Sequence, residues 1–360
     1  FHSHNNQQLS FALSIVFMEL MQSNERDCIV DSSLCGIGRG AGNTTTELLA
    51  NYINKKFGTD ITKDNIYMTC GAAASLTIVL NAIMEKDEEC IVFTPFFPEY
   101  TIFIKESGAK VVQVPGEEGT FQIDMEKFEA AVNEKTKAVI VNSPNNPSGV
   151  VYSEETIVKM CDILRKKEKE YGHPIFLITD EPYRELVYDD IDVPYMINYY
   201  DNTFVCYSYS KALSLPGERI GYIVVSNKMV DSKDAYAAVC GAGRVLGYVC
   251  APSLFQKVIE RCIDDTADIS IYKTNRDLLY NSLTEMGFEC VYPDGAFYLF
   301  VKAMEDDAKA FCEKAKEQEL LLVPADSFGT PGYVRVSYCV QTEQIERALP
   351  AFKKLADSYK

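Results

Sequence analysis

The sequence predicts an α/β protein: a largely parallel sheet covered by helices on both faces, followed by a smaller α+β lobe. Three observations carry this. From about residue 60 onward, short and nearly continuous apolar runs alternate with helical patterns. Runs that are apolar throughout, rather than at every second position, belong to strands buried on both faces. Strands separated by helices need crossover connections, which bring strands together in parallel.

The candidate strands are residues 90–94 (Cys-Ile-Val-Phe-Thr), 110–114, 138–142 (Ala-Val-Ile-Val-Asn), 175–179 (Ile-Phe-Leu-Ile-Thr), 204–207 and 220–225. Between them, residues 72–84, 98–106, 125–133 and 154–171 have helical patterns, and one long helical stretch is expected from about 231 to 282. After Met286 the order becomes strands 288–292 and 296–301, a helix at 308–318, strands 320–323 and 334–339, and a last helix from Thr342. Those strands packed under helices form the smaller lobe. The expected organisation is an atypical N-terminal segment (1–58), a large domain (59–265) and a small C-terminal domain (266–360). There is no internal repeat and no low-complexity linker.

Composition fits this reading. The 360 residues are 47% hydrophobic with 20 Gly and 14 Pro, which excludes disordered, collagenous and coiled-coil classes. At this length one core grows inefficiently, so one large lobe or two packed lobes are expected. The formal charge is −17, from 35 basic and 52 acidic residues. Such a surface repels nucleic acid and anionic membrane, although a local arginine pocket can still hold a small anion. No run approaches the roughly 20 apolar residues of a membrane span. Residues 9–21, broken by Ser14 and Glu19, fit a short amphipathic helix and lack the flanks of a signal peptide. The 12 Cys are scattered without a CxxC pair, which points to reduced thiols in a cytoplasmic protein. The chain begins at Phe1, which suggests a fragment, a processed product or an incomplete gene model.

Individually, the polar motifs have plain explanations. Ser143-Pro-Asn-Asn-Pro-Ser-Gly149 is a turn after a strand, Asp180 is a cap and Lys211 is a surface lysine. Arg335 is harder to dismiss, because an unpaired guanidinium in an apolar strand is costly. Together they form a set. Asn146, Asp180, Ser208 and Lys211 all fall at or just after the carboxyl ends of predicted strands, where open α/β sheets bind ligands. A lysine there, with a carboxylate, an amide, a phenol and a second cation (Arg219), suits pyridoxal phosphate. That cofactor needs a lysine for its Schiff base and an acid facing its ring nitrogen.

On these residues the chain from about 54 to 360 resembles the class I/II, fold-type-I pyridoxal-phosphate-dependent aminotransferases. The motifs Asn145-Asn-Pro-Ser-Gly149, Asp180-Glu-Pro-Tyr183, Ser208-Tyr-Ser-Lys211, Pro216-Gly-Glu-Arg-Ile-Gly221 and Arg335 agree with that family in order and spacing. The resemblance implies a mostly parallel seven-stranded sheet, a homodimer, and amino-group transfer between an L-amino acid and a 2-oxo acid. It implies that Lys211 carries the cofactor and moves the α-proton. Asp180 faces the ring nitrogen, Tyr183 and Asn146 reach the ring's phenolic oxygen, and Phe97 stacks on the ring. Gly71, Ala72 and Ala73 open a helix whose N–H groups, with Ser208 and Arg219, hold the phosphate. Ala72 and Ala73 lack the hydroxyl of many relatives, so backbone contacts are expected there. Arg335 pairs with the substrate carboxylate. The aromatic set of Phe97, Tyr183 and Tyr298 suits aromatic, aliphatic or acidic substrates. Arg244 and His173 read as surface residues.

The first sixty residues depart from this pattern. The family has a Tyr followed by an Ala-Gly turn, whereas this chain has Gly36-Ile-Gly-Arg-Gly-Ala-Gly-Asn43. Phe1-His-Ser-His-Asn-Asn6, Cys28-Ile-Val-Asp-Ser-Ser-Leu and Gly38-Arg-Gly-Ala-Gly-Asn43 resemble part of a metal-dependent TIM-barrel aldolase of the HMG-CoA-lyase-like group. A foreign piece over residues 1–53 is therefore expected, with its seam near 50–58. His2 and His4 fall on one strand face and could share an ion. The barrel's other strands and acidic ligand are missing, so no metal site is expected. Gly36-x-Gly-x-x-Ala41 also matches a dinucleotide fingerprint, without the βαβ unit that would support it. Asn43 with Glu47 reads as a helix start. Three rival readings remain: a lyase or decarboxylase on the same cofactor apparatus, a non-catalytic binder of the cofactor, and a metal-dependent aldolase.

Overall fold

The computed structural model describes residues 42–360. Helix α1 (Gly42–Phe57) leads through a short turn into strand β1 (Ile66–Thr69) and helix α2 (Ala72–Ile83). The series continues with β2 (Glu89–Thr94), α3 (Glu99–Glu106), β3 (Lys110–Pro115), α4 (Met125–Ala131), β4 (Thr136–Asn142), α5 (Glu154–Tyr171), β5 (Phe176–Asp180) and β6 (Thr203–Ser208). A single helical turn, α6 (Tyr209–Ala212), and β7 (Gly221–Val225) complete the first sheet. Helices α7 (Ser232–Val245), α8 (Ser253–Arg261) and α9 (Ser270–Glu285) lead to β8 (Cys290–Val291), β9 (Tyr298–Lys302), α10 (Ala308–Glu317), β10 (Val323–Pro324), β11 (Tyr333–Ser337) and α11 (Thr342–Asp357).

The seven-stranded sheet has the order β1-β7-β6-β5-β4-β2-β3. Pairings β2–β3, β2–β4, β4–β5 and β5–β6 are parallel, while β7 runs antiparallel to both β6 and β1. The middle strands are buried along nearly their whole length, which is why they read as uninterrupted apolar runs. Two apolar layers cover the sheet: one joins Leu76, Ile78 and Val79 of α2 to Val92 and Ile140. The other joins Ile157, Met160 and Leu164 of α5 to Val139 and Leu177. The smaller sheet, β10-β11-β9-β8, is antiparallel throughout.

Several expectations need correction. Strand β1 has no counterpart in the sequence reading, because Ile-Tyr-Met-Thr is too short a run to separate from the helix after it. The long helix expected over 231–282 is three helices. Gly247, at φ 84°, ends α7, and Pro252 precedes the first residue of α8. Strands expected at 288–292 and 320–323 shorten to Cys290–Val291 and Val323–Pro324. His173 is half-buried rather than solvated, its ring nitrogens within 3.1 Å of the Pro174 carbonyl and 3.0 Å of the Glu134 carbonyl. Arg244 is exposed on α7, as expected.

The expected seam near 50–58 lies inside α1, which runs through it without a break. Leu49, Ala50 and Ile53 share one apolar cluster with Ile66, Met68, Val205 and Val224 of the main sheet. His2, His4, the residues 9–21 stretch, the glycine-rich 36–41 run and the rest of the aldolase-like segment before residue 42 lie outside the described residues.

Glycine at 221 is a steric requirement. A Cβ there would lie 2.3 Å from the Tyr207 carbonyl oxygen and 3.0 Å from Gly71 Cα. The ends of β6, β7 and the β1–α2 turn therefore close on one another only around a bare backbone. Gly221→Ala is expected to cost more than about 2 kcal/mol, because the obstructing atoms are backbone. Urea unfolding of the two proteins measures the difference.

Candidate active site

A cavity of about 340 Å³ lies at the carboxyl ends of the parallel strands, within the range of roughly 300–1,000 Å³ usual for small-molecule sites. Ala72, Ala73, Phe97, Asn146, Asp180, Tyr183, Ser208, Lys211, Arg219, Tyr298 and Arg335 line it. Every site residue expected from the sequence is thus brought together except Gly71, which sits directly behind Arg219. A Cβ on Gly71 would lie 2.7 Å from Arg219 Nη2, so this glycine, at φ 91°, makes room for the guanidinium.

Asp180 ends β5, where the neighbouring β4 and β6 bury it almost completely. Tyr100, on α3, donates to Asp180 Oδ2 at 2.5 Å. Asp180 Oδ1 is buried with no hydrogen-bond partner. Burial raises the carboxyl from its ordinary 3.8 to about 7, against the lowering effect of the Tyr100 hydrogen bond. A carboxylate in this state suits a ligand that brings its own N–H⁺.

At the end of β4, Asn142 Nδ2 donates to the Asp180 carbonyl at 2.8 Å, and Asn142 Oδ1 accepts from the Asn146 backbone N–H at 2.7 Å. One side chain thereby fixes the loop after β4 against β5. Asn146 Oδ1 accepts from Arg335 Nη1 at 3.0 Å, while Arg335 Nε is buried and unpartnered. The guanidinium lies between two rings, 4.5 Å from the centre of Tyr298 and 5.1 Å from that of Phe328. This answers the cost noted from the sequence: the charge is held by an amide and two aromatic faces. The unpartnered Nε–H is left to face a ligand anion, together with the Nη groups that Asn146 does not use.

Lys211 sits on α6, the single turn after β6, with Nζ 5.2 Å from the centre of the Phe297 ring. Burial lowers its pKa most; Arg219 and Arg335 push the same way, against an opposing contribution from Cys339. A lysine with a lowered pKa is more often the neutral amine that carbonyl chemistry requires.

The third cation faces hydroxyls. Arg219 Nη1 donates to Ser210 Oγ at 3.3 Å and to the Pro216 carbonyl at 3.0 Å. Ser208 Oγ lies 2.8 Å from Ser210 Oγ and accepts from the Ser210 N–H. Helix α2 starts beside them, with Gly71 as its first cap. N–H groups at a helix start, two hydroxyls and a guanidinium make a cradle for a dianion. Ala72 and Ala73 add backbone only.

Tyr100, Asn142 and Ser210 were not singled out in the sequence. Tyr100 lies three residues beyond Phe97 in a helix start, where nothing local marks its reach to another strand. Ser210 was visible in the Ser208-Tyr-Ser-Lys211 motif, because hydroxyls two residues apart flank the lysine's turn. Among the described residues no cluster of three or more His, Cys, Asp or Glu could hold a metal ion, and no helix is long and apolar enough to cross a membrane.

The profile described as aminotransferase class I and II matches residues 37–352, starting inside the segment that the sequence set apart. The chain is 30% identical over 319 residues to a probable aspartate aminotransferase of Methanocaldococcus jannaschii, covering 86% of this chain and 82% of the relative. It is 32% identical over 322 residues to the aspartate aminotransferase of Thermotoga maritima, covering 87% and 81%. The crystal structure of an aminotransferase from Eubacterium rectale superposes with a TM-score of 0.91 at 53% identity, covering 97% of this chain and 87% of that one.

Asp180 accounts for one pH effect. In the ligand-free protein its raised pKa means that the folded state holds a proton the unfolded state has released between pH 3.8 and about 7. Its contribution to stability is therefore full below that window and declines as pH rises through it. Thermal melts across this range should lose that decline in Asp180→Asn.

Proposed function

The chain belongs to the class I and II aminotransferases, and from that premise we propose that its cavity holds pyridoxal phosphate and transfers the amino group of an L-amino acid to a 2-oxo acid. The observation that carries this is the unpartnered Asp180 Oδ1 in a cavity that also presents a lysine of lowered pKa. A ring N–H⁺ would satisfy that oxygen and keep Asp180 ionised. Phe97 would cover a ring face. The Tyr183 hydroxyl and the Asn146 amide, whose Oδ1 is already taken by Arg335, would donate to the phenolic oxygen. The α2 N-terminus, Ser208, Ser210 and Arg219 would hold the phosphate.

When bound, this cofactor supplies the electron sink that lets a bond at the substrate α-carbon break heterolytically. The protein's own groups do the rest. Lys211 Nζ would hold the cofactor at rest and, once displaced by the substrate's own amine, would be the neutral amine that takes the proton from the substrate α-carbon and, as an ammonium, the acid that gives it up again. Arg335 binds the α-carboxylate through Nη and the free Nε, which orients the α-hydrogen toward the lysine. The walls formed by Leu76, Phe97, Pro182 and Tyr298 keep water away from that exchange.

A cytoplasmic homodimer, divided into the large and small domains at about residue 265, belongs to the same reading. The exposed Val245, Val249 and Leu254 offer apolar surface for a second copy.

Mixing the protein with pyridoxal phosphate should give an absorbance band near the visible edge, which borohydride fixes covalently to Lys211. Lys211→Ala should give no fixed chromophore. A parent protein with no lysine-bound band overturns the assignment, and elimination to pyruvate without exchange of oxo acids replaces it with a lyase. Arg335→Lys keeps the charge but loses the two-pronged hydrogen bond, so kcat/KM for amino-acid donors should fall about 10- to 100-fold. The borohydride-fixed band should survive in that variant.

A further inference from the structure

Tyr298, at the start of β9, is one of the few cavity residues contributed by the smaller sheet. It is buried, at 8% exposure, and it touches two functional groups at once. Its hydroxyl lies 3.1 Å from the Tyr183 hydroxyl, and its ring face carries the Arg335 guanidinium at 4.5 Å. Packing alone explains an aromatic here, and a phenylalanine would do that work. It does not explain a hydroxyl aimed at the phenol that faces the cofactor.

We propose that Tyr298 is a positioning residue for the transfer reaction: its hydroxyl donates to the Tyr183 oxygen and thereby commits the Tyr183 proton to the phenolic oxygen of bound pyridoxal phosphate. This rests on the cofactor reading above. Direction follows from the surroundings. Tyr183 faces Asp180 and Arg335 as well as Tyr298, whereas Tyr298 faces Arg335, Cys339 and Tyr183. The aspartate belongs to Tyr183 alone in this comparison, and a carboxylate makes a neighbouring phenol a poorer acid. Tyr298, stacked directly on the guanidinium, is the better acid of the two and so the better donor.

A phenol that accepts one hydrogen bond donates a stronger one in turn. The chain Tyr298 to Tyr183 to phenolic oxygen therefore favours the anionic form of that oxygen. An anionic oxygen beside the lysine-bound nitrogen holds its proton through an internal hydrogen bond, and drawing off its charge releases that proton at lower pH. Tyr298 thus connects the arginine that senses the substrate carboxylate with the proton balance at Lys211 Nζ. The charged groups near that nitrogen are Arg219 and Arg335, with the Cys339 thiol beside them, and none is replaced by removing one hydroxyl from Tyr298.

The test is Tyr298→Phe in the full chain loaded with pyridoxal phosphate, titrated by visible absorbance. The ring remains, so the stacking on Arg335 remains. The midpoint of the lysine-bound chromophore should rise by about 0.5–1 pH unit, the scale of one hydrogen bond. In a Tyr183→Phe background the same change should shift nothing further. An unchanged midpoint in the single variant, or an equal shift in both backgrounds, overturns the proposal. A parent protein that forms no lysine-bound chromophore overturns instead the cofactor reading on which it rests.

Discussion

A carboxylate buried at the end of β5 with one oxygen unpaired governs the arrangement of the rest of this site. Desolvating a carboxylate costs several kcal/mol unless hydrogen bonds or a counter-charge replace water. Tyr100 satisfies one oxygen of Asp180, and its neighbours leave the other bare. The chain could have ended that strand with an asparagine at lower cost. It instead keeps an acid whose charge is stable only when a cation enters the cavity. Such an acid gives up stability in the empty cavity and is suited to a cationic ligand atom.

The same logic applies at the opposite end. Arg335 has one N–H group buried without a partner, and its charge rests on two ring faces and a single amide oxygen. An incompletely paired carboxyl and an incompletely paired cation thus face the same cavity, which Lys211 also lines. A protein of net charge −17 concentrates Lys211, Arg219 and Arg335 here against one carboxyl group, that of Asp180. Such a local excess of positive charge suits phosphate and carboxylate groups, which the surface of a strongly acidic molecule disfavours.

Much of this was legible in the sequence, because parallel sheets place function at strand ends and buried strands are the easiest to read. Asn146, Asp180, Ser208 and Lys211 were locatable from the runs that precede them. What escaped was information that depends on contact across the chain. Tyr100 meets Asp180 from 80 residues away, and no local pattern records that pairing. Strand β1 is only four residues long, and its antiparallel partner β7 lies more than 150 residues later. The three helices after β7 merged into one because their breaks, one marked by Gly247 and Pro252 and the other at residues 262–269, sit in otherwise helix-compatible sequence.

The Arg335 end of the cavity depends on how the two sheets meet. Arg335 and Tyr298 come from the smaller sheet, and the groups they touch, Asn146 and Tyr183, come from the strand ends of the larger one. The join is built around close backbone approach. Gly295 donates to the Gly149 carbonyl at 2.9 Å, and a Cβ on Gly149 would strike Pro293 at 2.5 Å. Tyr188 donates to the Ala296 carbonyl, two residues before Tyr298. Tyr183, Leu186 and Tyr188 lie in the same apolar cluster as Leu299 and Val334. The segment that follows Asp180 is therefore part of the core of the smaller lobe. Any motion of that lobe must move Tyr183 together with Tyr298, or else break the hydrogen bond between them. Linking Arg335 to Tyr183 through a packed core makes their spacing a property of the fold rather than of two flexible side chains.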